Sequence, residues 1–325
     1  MQIRSSTIKM SYKLRYITLN YQPPVAIGSE SVLYRAEGNM VRHLCVKEVR
    51  RDSFKDSNHR QSRESADRDC MQHGINDKAR RDSYKFRVQH LRTEAEVGKT
   101  LYEDGEIPVV QVYAFRRVGI PFFEDGYDLV MEYVPGKDLS DKAFLDTLSF
   151  EDKLNYFFQT ALALKYVHGK GYLHLDGKPR NIMVSNGHVK LIDFAYSLPI
   201  GTIPSFFRGT PGYSPPEQIL CRSLDGGTDV FSFGVAFNVI FGGPKINEQL
   251  RGTTFLKGWS EGAFNTRTPA VETSDELKDT PRLAELIKRC TIPRRKVRVH
   301  NTDFLIDELW KIGKELGIKL TETFS

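Results

Sequence analysis

The chain has 325 residues, 40% of them hydrophobic and 27% charged, with a formal net charge of +6. That is enough apolar material for a sizeable core and for about two lobes. No apolar run approaches the roughly 18 residues of a membrane span, and so mild a positive charge does not by itself call for a nucleic-acid partner. The N-terminal stretch has no apolar signal region, so a leader is not expected there. Cys45, Cys70, Cys221 and Cys290 are scattered without a C-x-x-C pair, which argues against a metal or redox site and fits a reducing, cytoplasmic setting.

Residues 18–50 read as a β-meander. Tyr21-Gln22-Pro23-Pro24 opens it, Val32-Leu33-Tyr34-Arg35-Ala36 alternates with period two, Glu37-Gly38-Asn39 turns, and residues 43–49 form a third strand. Residues 50–85 carry ten Lys or Arg against seven Asp or Glu. This stretch cannot bury enough apolar surface to offset its ordering entropy, and it reads as a loop insertion. Leu91, Val97 and Leu101 mark one face of a helix over 87–103, and 109–115 and 127–133 read as strands. The second half is mainly helical, with apolar periodicity predicting helices over 154–168, 228–241, 275–290 and 302–316.

Chemistry concentrates in the run His174-Leu175-Asp176-Gly177-Lys178-Pro179-Arg180-Asn181, with Asp193-Phe194-Ala195 beginning twelve residues after Asn181. These runs resemble the catalytic loop H-R-D-L-K-x-x-N and the metal-binding D-F-G of protein kinases. Phosphoryl transfer needs a carboxylate near the attacking hydroxyl, a cation near the moving phosphate and hard oxygen ligands for Mg²⁺. The order of the further motifs lets nearly the whole chain be laid on that family's pattern.

The resemblance implies an α+β, two-lobed fold: an extension over 1–17, a β-rich N-lobe with one main helix over 18–132 carrying the charged insert 51–85, a helical C-lobe over 133–312 and a tail over 313–325. It implies ATP and Mg²⁺ as cofactors, with Mn²⁺ as an alternative metal. Asp176 is expected to be the base or orienting carboxylate, Lys178 the cation at the transferred phosphoryl group, and Asn181 and Asp193 the metal ligands. Lys47 is expected to meet the α- and β-phosphates and to pair with Glu94, with Glu96 as the competing partner. Ile27, Gly28 and Ser29 belong to a glycine-poor phosphate loop in which Ala26 and Ser31 stand where the family has glycine.

Cys45, Met131, Glu132, Val134 and Met183 are expected around the adenine, with Asp138 accepting from a ribose hydroxyl. His174 is expected to pack on the Asp193-Phe194 region. Thr210 would bridge Asp176 and Lys178, and Asp229 would anchor the catalytic loop. Glu217 would find a buried partner in Arg298, with Arg295 as the alternative.

Two further departures stand out. Leu175 replaces the arginine of H-R-D, and Ala195 replaces the glycine of D-F-G. The implied activity is serine/threonine protein phosphorylation, with protein substrates and a regulatory partner at the 51–85 insert. The alternatives are a pseudokinase scaffold that binds nucleotide and a kinase-like phosphotransferase acting on a small molecule. Membrane and nucleic-acid partners are not expected.

Overall fold

A computed structural model describes residues 5–9, 16–27, 31–38, 44–51, 84–120, 123–246 and 270–322. The chain divides into two compact units: Met1–Tyr102 with Val110–Val134, and Glu103–Val109 with Pro135–Ser325. The charged insert, as residues 52–83, and the phosphate-loop residues Gly28 and Ser29 lie outside the described residues.

Among the described residues, unit 1 is a six-stranded antiparallel sheet with one helix. Its strands are β1 (Ser5–Lys9), β2 (Tyr16–Ile27), β3 (Val32–Gly38), β4 (Leu44–Arg50), β5 (Val112–Ile120) and β6 (Phe123–Glu132), in the order β1-β2-β3-β4-β6-β5. The N-terminal extension is therefore not separate, because Ser5–Lys9 adds a strand to β2. A short polar strand has no core-facing pattern of its own, and only its neighbour reveals it. The strand expected over 109–115 is shifted to Val112–Ile120, because Val109 instead bridges Leu191 within unit 2.

Helix α1 (Tyr84–Leu101) starts three residues earlier than its apolar periodicity suggests, and it packs on β4, β5 and β6. Leu91, Glu94, Val97, Gly98 and Leu101 form its buried stripe. A Cβ at Gly98 would lie 2.3 Å from Val112 Cγ2, so glycine there permits the close approach of α1 to β5.

Asp128 on β6 is fully buried and sits across the ladder from Glu48 on β4. Arg50 resolves this like-charge juxtaposition by contacting both, at 2.9 Å from Glu48 Oε1 and in a short contact with Asp128 Oδ1. Arg116 donates to Asp128 Oδ2 from Nε at 2.8 Å and from Nη2 at 2.6 Å.

Unit 2 contains β7 (Lys137–Asp138), α2 (Lys142–Leu145), α3 (Phe150–Gly169), β8 (Tyr172–Leu173), β9 (Ile182–Ser185), β10 (His188–Leu191), β11 (Leu198–Pro199), α4 (Pro216–Ile219), α5 (Gly226–Ile240), α6 (Pro281–Cys290) and α7 (Thr302–Glu315). Reciprocal hydrogen bonds between Ser149 and Asp152 cap α3. Helix α5 is apolar almost all round and buried almost all round, which places it at the centre of the unit. Phe237 on α5 stacks on Phe157 of α3, with ring centroids 4.2 Å apart.

The helix expected over 275–290 is broken into a 3₁₀ turn, Asp275–Leu277, and α6. Pro281 explains the break. It disfavours helical backbone at Thr280 and is tolerated only in a helix's first turn. No helix among the described residues is long and apolar enough to cross a membrane.

Replacing Asp128 with Ala leaves Arg116 without its carboxylate and Arg50 with Glu48 alone. The expected loss is about 3 kcal/mol, the scale for breaking a buried ion pair. Urea unfolding of the full chain measures it, and a change under 1 kcal/mol would show that the cluster is solvated.

Candidate active site

In unit 1 the pleat of β4 sets the geometry. Cys45 and Lys47 alternate with Val46 along the strand, so they share one face of the sheet. Lys47 Nζ donates to Glu94 Oε2 at 2.8 Å. Glu94 is 1% exposed because it lies three residues from Leu91 and from Val97 on the buried stripe of α1, while Glu96 points to solvent. Cys45 is the cross-strand neighbour of Met131. Burial pushes its thiol up to about 12, so it behaves as a small apolar wall rather than a nucleophile.

Val134 is buried, and the Glu132 N–H donates to Gln111 O at 2.8 Å. Ile27 ends β2 opposite Val32.

In unit 2 the loop from His174 to Asn181 hangs from α5. Asp229, 0% exposed, accepts from the backbone N–H of His174 and of Leu175 and from His168 Nε2, each at 2.8 Å. Burial alone would raise the Asp229 carboxyl, but the His168 hydrogen bond and charge and the Leu175 N–H outweigh it and hold the group below its ordinary value. These bonds force Leu175 into left-handed backbone, φ 66°, which costs a side-chain-bearing residue about 1–2 kcal/mol. Its carbonyl is held from the other side by Gln218 Nε2 at 2.7 Å.

His174 packs on Phe194, with ring centroids 4.8 Å apart. Its Nδ1 accepts from the Asp176 N–H at 3.2 Å, and its Nε2 lies 3.1 Å from Ile192 O. A carbonyl only accepts, so the ring proton sits on Nε2.

The Asp176 carboxylate receives three side chains. Lys178 Nζ donates to Oδ2 at 2.6 Å, Asn181 Nδ2 to Oδ2 at 2.9 Å, and Thr210 Oγ1 to Oδ1 at 2.6 Å. Lys178 Nζ also donates to Thr210 Oγ1 at 2.9 Å, closing a ring of hydrogen bonds. Asn181 Nδ2 reaches the Asp176 carbonyl as well, at 2.9 Å, and its Oδ1 has no donor among the described residues.

Asp193, like Leu175, has left-handed backbone, φ 67°. An amide oxygen and a carboxylate suit a hard divalent cation that keeps waters and phosphate oxygens as its other ligands. Asp138 pairs with Met183 across β7 and β9, and its Oδ1 accepts from the Ser140 N–H at 2.8 Å, so a ribose hydroxyl would have to use Oδ2.

Glu217 pairs with Arg298 at 2.6 and 3.1 Å, both side chains being buried. The remaining guanidinium hydrogens go to the carbonyls of Ile292, Gly227 and Pro293. Arg295 instead reaches Asp225 and Ser223 O. The sequence did not point to His168 or Gln218. Neither belongs to a motif; His168 acts on the Asp229 carboxylate and Gln218 on the Leu175 and Arg208 carbonyls, all distant in the chain.

A family model described as protein kinase domain matches residues 27–309. Serine/threonine-protein kinase ULK3 of Xenopus laevis is 32% identical over 165 residues, covering 49% of this chain and 34% of that protein. CBL-interacting serine/threonine-protein kinase 3 of Arabidopsis thaliana is 32% identical over 211 residues, covering 62% of this chain and 45% of that protein. Aurora kinase of Saccharomyces cerevisiae is 35% identical over 135 residues, covering 40% and 36%. The chain thus matches under half the length of each of these relatives.

Asp229→Asn should weaken the anchoring of the Leu175 backbone. The Asp229 carboxyl is held low in the folded protein. Its contribution to stability is therefore complete above the unfolded value of about 3.9 and vanishes as pH falls through the folded one. Denaturation curves from pH 7 to 3 should show a shallower acid loss in the variant; parallel profiles would contradict the anchoring argument.

Proposed function

The chain belongs to the protein kinase domain family, and on that premise we propose that it transfers the γ-phosphoryl group of ATP to Ser or Thr hydroxyls of protein substrates in the presence of Mg²⁺. The observation that carries this reading is the closed ring of Asp176, Lys178 and Thr210, with Asn181 bonded to the same carboxylate. A carboxylate so held has a fixed orientation toward an incoming hydroxyl, and positioning is most of what phosphoryl transfer asks of a protein.

In this reading Asp176 orients the substrate hydroxyl and takes its proton. The hydroxyl oxygen forms a bond to the γ-phosphorus while the bond to the bridging oxygen of ADP breaks. Lys178 places positive charge beside the transferred group, and Lys47, held by Glu94, meets the α- and β-phosphates. Asn181 Oδ1 and Asp193 would hold Mg²⁺, which when bound supplies charge neutralisation on the phosphate chain. On the family resemblance we assign Cys45, Met131, Glu132, Val134, Asp138 and Met183 to the nucleoside. The Gly209–Glu217 stretch (GTPGYSPPE), tied down by the Glu217–Arg298 pair, is our candidate for docking a peptide.

Asp176→Asn and Asp193→Asn should each lower phosphotransfer by about 10²–10⁴ while leaving thermal unfolding close to that of the parent chain. Radiolabelled ATP with the full chain and a mixed protein substrate is the assay, and the labelled products should be phosphoserine and phosphothreonine. Predominant phosphotyrosine, or undiminished activity in either variant, would overturn the assignment.

Control by phosphorylation is expected to differ from that of kinases with arginine before the catalytic aspartate. Leu175 is 1% exposed and packs with Leu173 and Leu224, against Tyr196 and Leu198. This apolar contact offers no charge to a phosphate. Ser197 is buried with its Oγ on His174 O, which leaves Thr202 and Ser205 as the accessible hydroxyls of the segment. Phosphatase-treated protein should keep most of its activity. A fall of more than ten-fold would show that a phosphate is needed after all.

A further inference from the structure

Arg208 stands just before the Gly209–Glu217 stretch, and its surroundings are unlike those of a surface arginine. Its side chain is half-buried, with the guanidinium carbon 4.8 Å from the Phe206 ring centroid. Its Nη1 is buried and has no hydrogen-bond acceptor among the described residues, and no carboxylate there pairs with it. Burial lowers its pKa, opposed only by Tyr196, yet an arginine stays charged in any protein environment. A desolvated cation without a counter-ion is unfavourable, and a ligand anion would relieve that. The aromatic face fixes the plane of the fork, which suits bidentate binding of a carboxylate or phosphate.

The backbone fixes where such an anion would lie. The Arg208 carbonyl accepts from Gln218 Nε2, the amide that also holds Leu175 O. At Gly209, φ 128°, a Cβ would come within 2.4 Å of Gln218 Nε2 and 2.8 Å of Leu175 O, so the chain runs hard against the catalytic loop. Thr210, two residues on, bonds to Asp176 at 2.6 Å. Two residues span at most about 7 Å of chain. With the length of the arginine side chain added, the anion would fall within about five residues of the acceptor hydroxyl on an extended peptide. A second cation, Lys245, lies 5.6 Å from the Tyr213 ring centroid in the same stretch.

We propose that Arg208 selects substrates by binding an anionic side chain, Asp, Glu or a phosphorylated residue, placed within about five residues of the Ser or Thr that accepts phosphate. This rests on the reading of the site as a peptide phosphotransferase. The same chemistry could be met by a phosphate on Ser205, which is exposed and three residues earlier.

The test uses the full chain and a set of peptides with one central Ser, carrying Asp, phosphoserine, Ala or Lys at each flanking position. For the parent protein, kcat/KM for the best acidic peptide should exceed that for the neutral one by about ten-fold, the worth of a hydrogen bond to a charged group. That ratio should collapse toward one in Arg208→Ala, survive in part in Arg208→Lys, and turn in favour of Lys peptides in Arg208→Glu. A parent protein indifferent to peptide charge, or an Arg208→Ala variant that keeps the preference, overturns the proposal.

Binding of the same peptides, labelled and followed by fluorescence anisotropy, needs no turnover. Acidic peptides held tighter than neutral ones by the parent but not by Arg208→Ala would support the anion site even if phosphotransfer failed, and would then sink only the catalytic reading. If the parent carries phosphate on Ser205 by mass spectrometry and Ser205→Ala reproduces Arg208→Ala, the anion is the chain's own and the substrate proposal fails.

Discussion

The carboxylate of Asp229 is the constraint on which unit 2 depends. It is buried on α5, the helix packed on nearly every side, and it spends its lone pairs on two consecutive backbone N–H groups of the catalytic loop and on His168. A buried anion of this kind is tolerated only when its hydrogen bonds are complete. Once it is complete, the loop inherits the rigidity of the helix core. The left-handed turn at Leu175 is strain that persists because its N–H and its C=O are both fixed, the latter by Gln218. Asp176 follows directly, so its carboxylate enters the ring with Lys178 and Thr210 from a backbone with little freedom left.

Unit 1 reaches its order by different means. The Lys47–Glu94 pair requires α1 to lie at one depth and one rotation over the sheet. Gly98 sets the depth by admitting Val112, and Arg87 ties the start of α1 to the Arg50 carbonyl at 3.2 Å. Arg50 is in turn held by Asp128 and Glu48 in the middle of the sheet. The buried ion cluster and the Lys47–Glu94 pair thus share strand β4, so disturbance of one is felt at the other.

Charge is distributed around the catalytic loop in an uncommon way. The position before Asp176 carries leucine, which joins an apolar contact with Tyr196 and Leu198. A guanidinium is nevertheless present nearby in the chain's path, at Arg208, tied through the Gln218 amide to the Leu175 carbonyl. Apolar burial can hold the segment without a phosphate, which leaves the arginine for another anion.

The sequence alone determined those features that depend on local chemistry and spacing. The order and spacing within His174–Asn181 carry the resemblance to the protein kinase catalytic loop, and that resemblance singled out Asp176, Lys178 and Asn181. The apolar stripe through Leu91, Val97 and Leu101 favoured Glu94 over Glu96, which the Lys47 hydrogen bond then decided, and apolar periodicity marked a long helix over 228–241. Tertiary structure alone decided the rest. Ser5–Lys9 is a strand only because β2 lies beside it. The break at Thr280 was, by contrast, legible in the sequence through Pro281, and periodicity alone ran straight through it. The Asp128 cluster, the choice of Arg298 over Arg295, and the tie of Gln218 to Leu175 and Arg208 join residues far apart in the chain. Hydrogen-bond geometry, which has no signature in residue order, selects each of them.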